Sequence, residues 1–128
     1  MATLESGTFS LSTPVPATKT IILNNATLTP DLIFFYIASA GTSDTDNHAN
    51  IGFLHGGGKG GLSVFSDTTG EKSSQNTGTK VLAHNTRSAG TITEVITATG
   101  GALRTGEFDL VCTAANLGYQ VGFLAIEF

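Results

Sequence analysis

Leu32 to Ser39 reads LIFFYIAS, and it constrains the fold more than any other stretch. Apolar side chains occupy both alternating sets of positions. Successive side chains of a strand point to opposite faces, so such a run is expected to be covered on both faces and to lie centrally. A buried helix is the competing reading. The run is short, Pro30 precedes it, and Phe34-Phe35-Tyr36-Ile37 favours a strand. It is also far too short to span a bilayer.

The rest of the chain repeats the β signal in shorter pieces. Gly7 to Leu11 alternates Phe9 and Leu11 with Thr8 and Ser10, and Pro14 and Pro16 end that strand. Thr18 to Leu23 is a second strand, followed by turn signals at Asn24-Asn25-Ala26 and Thr29-Pro30-Asp31. Ile51 to Ser66 reads IGFLHGGGKGGLSVFS: two apolar runs around Gly56-Gly57-Gly58-Lys59-Gly60-Gly61, hence a hairpin. Val81 to His84, Thr91 to Thr99, Glu107 to Thr113 and Tyr119 to Phe128 supply further strands. Glu107 to Thr113 places Phe108, Leu110 and Cys112 on one face and Glu107, Asp109 and Val111 on the other. The polar stretches Ala40 to Asn50 and Asp67 to Lys80 read as loops. No segment carries a convincing helical pattern. The expectation is an all-β, antiparallel β-sandwich, jelly-roll-like, of about eight or nine strands, forming one domain over residues 1–128.

Charge is sparse. Asp, Glu, Lys and Arg make up 12% of the chain, against about 25% in ordinary domains. Threonine, with 20 residues, and glycine, with 16, take up the difference. Such a surface suits strands, and it suits a protein covered by neighbours, because interface cores are depleted in charge. The net charge of −4 offers no basic stripe, so no nucleic-acid partner is expected. A lone cysteine, Cys112, excludes an internal disulfide framework. The opening MATLESGTF lacks the basic and apolar regions of a signal peptide, so synthesis in a cytoplasm and no membrane partner are expected. The terminal Phe128 is expected to dock in a sheet or against a partner.

Motifs for chemistry are weak. Gly58-Lys59 departs from a phosphate loop, because Gly60 follows the lysine and a strand follows the glycines. Asp44-Thr45-Asp46-Asn47-His48 begins like a calcium loop. His48, Ala49 and His55 then stand where a third oxygen ligand, a glycine and a glutamate are needed. His48, His55 and His84 lack the close spacing of a zinc pair. No serine sits in a nucleophile elbow, and Cys112 lies on the apolar face of its strand. No catalytic residue, metal site or cofactor is therefore expected. A glycan site would need exposed aromatics; the eight Phe and two Tyr are mostly placed in strands where core packing accounts for them, and Tyr36 and Tyr119 are the only amphipathic rings. The hairpin tip, Gly57, Gly58, Lys59 and Gly60, together with Phe128, is the candidate interface.

Several segments together resemble a family. Thr29-Pro30-Asp31-Leu32-Ile33-Phe34-Phe35 resembles a strand of small all-β proteins of tailed bacteriophages. Gly52-Phe53, followed by Gly60-Gly61-Leu62-Ser63-Val64-Phe65-Ser66-Asp67, is similar to their hairpin. Asn76-Thr77 or Asn85-Thr86-Arg87 answers a short N-T-R segment. Glu107-Phe108-Asp109-Leu110 and Tyr119-Gln120-Val121-Gly122-Phe123-Leu124-Ala125 resemble their closing strands. The resemblance implies a virion structural protein without catalytic residues, a capsid decoration protein or a tail or fibre module. In relatives the module often sits inside longer chains; here it stands alone, which favours a capsid cement. The implied partners are the major capsid protein and copies of itself. The alternative is a receptor-binding module that takes a host glycan.

Overall fold

In the computed structural model ten strands form two packed antiparallel sheets, and the described residues, 1–40, 47–66, 72–76, 78–88 and 91–128, contain no helix. The strands are β1 (Thr3–Phe9), β2 (Ala17–Ile22), β3 (Leu32–Ala40), β4 (Asn47–His55), β5 (Gly58–Ser66), β6 (Lys72–Asn76), β7 (Lys80–Ser88), β8 (Thr91–Arg104), β9 (Glu107–Ala114) and β10 (Val121–Glu127). One sheet has the order β1-β10-β3-β4-β5-β6 and the other β2-β9-β8-β7. Strands from the two halves of the chain pair in nested fashion, β1 with β10 and β2 with β9, as in a jelly roll. The middle of the chain runs as two meanders instead.

Several strands exceed the sequence expectation: β1 begins at Thr3 rather than Gly7, β7 runs on to Ser88 and β8 to Arg104. β6 arises inside the polar stretch after Ser66, where a loop was expected, because it adds to the open edge of β5 in register from Leu62↔Asn76 to Ser66↔Lys72. Backbone pairing needs no apolar side chain. β4 likewise begins at Asn47, inside the other expected loop, by pairing with Ala40. The hairpin connection is also shorter than the glycine run. Gly58 to Gly61 pair with His55 to Gly52, which leaves Gly56 and Gly57 as the turn.

The core lies between the sheets. Phe35 and Phe108 are fully buried, and the rings of Phe9, Phe35, Phe108 and Phe123 pack with centroids 5.7–6.4 Å apart. Most of these contacts are edge-to-face, the preferred geometry of aromatic quadrupoles. Cys112 is buried in this layer, and burial pushes its thiol pKa up, as befits an inert packing residue.

β7 is an edge strand, yet Val81, Leu82, Ala83, His84 and Asn85 are all buried. Its open backbone edge rests on the inner face of β4. Asn50 Oδ1 accepts from Ala83 N at 3.1 Å, while Asn50 Nδ2 donates to the Leu62 carbonyl at 3.0 Å. One buried amide thus supplies β7 with the neighbour its edge lacks, and protects that edge from foreign strands. Asn50→Ala should leave the Ala83 N–H without its partner and cost about 2 kcal/mol in denaturant melts. An unchanged midpoint would show that the amide is dispensable.

Candidate functional site

Three regions carry polar groups or surface that function could use. The first is the end of the sandwich where β3 and β5 begin and β4 and β10 finish. Register pairs Leu32 with both His55 and Ile126. The hairpin tip and Phe128 therefore stand at the same end of the six-stranded sheet. They lie three strand spacings apart, about 14 Å. Gly57 is exposed, and its N–H donates to His55 Nδ1 at 3.1 Å; Gly58 is half-buried. Lys59 is exposed, but its Nζ donates back to the Gly100 carbonyl at 3.2 Å. Gly60 is not an exposed tip residue: it is buried inside β5, with the Phe53 ring lying against it. Phe128 N donates to Asp31 Oδ2 at 2.8 Å, while the residue is 79% exposed, so the described residues leave its ring largely uncovered. Behind the tip, a cleft of about 470 Å³ separates Leu54 and Lys59 from the bulged Gly100 to Leu103 segment of β8.

The second region is a buried polar seam toward the opposite end. His48 and Asn50 point inward from β4, Ser63 from β5, and His84 and Asn85 come from β7. The rings of His48 and His84 meet edge-to-face at 5.9 Å, and Tyr119 covers His84 at 4.9 Å. Burial, helped by the His48 charge, pushes the His84 pKa down to about 4. This pairing has no signal in the sequence, because 36 positions separate the two histidines and only the stacking of β7 on β4 joins them. His55, seven positions along β4 from His48, is stacked on Phe53 at 6.0 Å. Among the described residues no three metal-ligating side chains converge. Residues 44–46 of the calcium-like stretch lie outside the described residues, and His48 is a buried strand residue.

The third region is the outer face of the six-stranded sheet. Phe34 and Tyr36 point outward from β3, Ile51 and Phe53 from β4, and Leu62 and Val64 from β5, each 36–61% exposed. Leu4 on β1 extends the patch. The expectation that β3 is covered on both faces is thus met on one face only: Ile33, Phe35 and Ile37 are buried, and Phe34 and Tyr36 are not. Core packing likewise fails to account for Phe34 and Phe53. The surface is smooth, since Tyr36 lies across Gly122 and Phe53 across Gly60. Inward-pointing Glu5 is engaged with Asn24 N and Asn25 N. From β1 to β5 and β10, no described Asp, Glu, Lys or Arg side chain stands on this face.

The outer face of the other sheet contrasts with it. Arg104 grips Asp109 through both terminal nitrogens at 2.8 Å and reaches Glu107 through Nε. Thr20 donates to Asp109 at 2.7 Å. The Arg104 guanidinium, and then Thr20, hold the Asp109 carboxyl below its ordinary pKa, and the two carboxylates raise that of Arg104. The second sheet thus carries an ion-pair network on its outer face, whereas the described outward side chains of β3, β4 and β5 carry none.

Comparison of the chain with known protein families, with characterised proteins and with solved structures returned no match.

Proposed function

We propose that this chain is a structural protein of a tailed-phage virion, a capsid cement that binds the assembled shell and stabilises it. The observation that carries the reading is the broad, smooth outer face that β3, β4 and β5 present, on which no described side chain is charged. Exposed apolar patches of more than a few hundred Å² mark protein interaction sites. The motif resemblance supplies the setting. A cement works by mass action: it binds the assembled state and not the dissociated one, and so shifts the balance toward assembly. The end bearing Gly57, Lys59 and the exposed Phe128 ring is the natural contact with the shell, because an undocked ring and a bare backbone turn both gain from a partner.

A second reading has one observation in its favour. The Tyr36 and Phe53 rings lie flat and exposed, as sugar-stacking platforms do. Ile51, Leu62 and Val64 beside them offer a sugar's hydroxyl groups nothing to bond with, which leaves His55, stacked on Phe53, as the polar partner.

Particles lacking the protein should assemble but release their genome at a lower temperature, and added protein should restore them. Phe128→Ala should restore them poorly while leaving the protein's own melting temperature nearly unchanged, because that residue is 79% exposed. Unchanged shells with lost adsorption to host cells would overturn the cement reading and favour the glycan module.

A further inference from the structure

We infer that two copies of this chain pair face to face through the outer surface of the six-stranded sheet. This inference does not depend on the cement reading. It starts from β3, whose sequence is that of a strand buried on both sides but whose outer side chains a single copy leaves in water. A second copy supplies the missing cover.

The area is sufficient. Phe34, Tyr36, Ile51, Phe53, Leu62 and Val64 are each 36–61% exposed, with Leu4 beside them. The aromatic side chains alone bury about 150–250 Å² each when fully covered, so with the aliphatic ones beside them the exposed patch comes to several hundred Å². With flanking Ser6, Thr8, Ala38 and His55 it approaches the ~800 Å² per partner of a standard interface. Sheets stack about 10 Å apart, which asks for a flat surface. The rings laid over Gly122 and Gly60 make it flat.

The chemistry fits a copy in particular. In a two-fold interface each residue near the axis meets itself, so any charge there meets a like charge. No described charge stands on this face, and its centre is the cross-strand row Tyr36–Ile51–Leu62. Pairing also leaves the Arg104–Asp109–Glu107 network of each copy outward in water. The product is a four-layer particle with apolar layers inside and charged layers outside.

Sedimentation equilibrium of the full chain decides the matter. Wild type should sediment at twice the 13.1 kDa chain mass at micromolar concentration. Ile51→Lys should weaken the dimer by about a hundredfold or more, because two ammonium groups would be buried unpaired at the centre. Leu62→Glu serves as the second variant should the first fail to fold, and far-UV spectra should match wild type in both. Ile22→Lys, on the opposite sheet where Ile22 is 69% exposed, should leave the dimer intact. Mixing Ile51→Lys with Ile51→Glu should restore the dimer, since only a face that meets its own copy brings the two charges together. A monomeric wild type overturns the inference, as does a dimer that survives both Ile51→Lys and Leu62→Glu, or one lost in Ile22→Lys. A monomer that instead binds insoluble polysaccharide through Tyr36 overturns it in favour of a glycan platform. A dimer together with shells indifferent to the protein would leave the inference standing and remove the cement reading.

Discussion

Gly52→Ala is expected to destabilise the protein by more than about 3 kcal/mol, above the usual range for overpacking. A methyl group at Gly52 would sit 1.7 Å from the Val81 carbonyl oxygen and 2.7 Å from its carbon. The obstacle is backbone, which cannot swing aside as a side chain does. β7 would have to lift from β4, stretching the Asn50–Ala83 hydrogen bond at the next inward position. Gly56→Ala is the control: the space around that turn residue is open, and the change should stay within about 0.5 kcal/mol. Urea unfolding of the three proteins tests this. Equal midpoints would mean that the sheets do not approach as closely as β4 and β7 do here.

Acid should destabilise the fold well before the carboxylates titrate. His84 is fully buried and stays neutral down to about pH 4 when folded, whereas in the unfolded chain it takes up a proton near its ordinary 6.5. Between those values the unfolded state binds the extra proton, so stability falls as pH falls. The contribution is whole above about pH 6.5, is lost progressively toward pH 4, and levels off below. Its ceiling is on the order of 3 kcal/mol. Asp109, held low by Arg104, adds a further loss in the same direction at lower pH. Denaturation midpoints from pH 7 to 4 measure the slope. In His84→Gln that slope should flatten, whatever the variant's overall stability. A slope that persists in the variant would assign the acid sensitivity elsewhere.

Strand identity was legible in the sequence because alternation and turn residues act locally. The division of Glu107 to Thr113 into a buried Phe108-Leu110-Cys112 face and an outward Glu107-Asp109-Val111 face came through intact. The Ile51 to Ser66 hairpin did too, although Gly58, Gly60 and Gly61 joined the ladder and left only Gly56 and Gly57 in the turn. β6 was not legible, since its pairing draws on backbone groups that every residue carries. Of the candidate interface, Gly57 and Phe128 are exposed and share one end of the sheet. Gly60 is hidden by Phe53, a contact across the hairpin that composition does not encode.

The sequence by itself determined an all-β chain of short strands, poor in charge, with one strand apolar on both sides. These follow from the period of side chains along a strand and from the turn chemistry of glycine, proline and asparagine. Only the tertiary structure decided which sheet shows its apolar side to water, and that His48 meets His84 and Asn50 caps β7. The last two depend on how β7 stacks against β4, joining residues 33 and 36 positions apart, where no local period can reach.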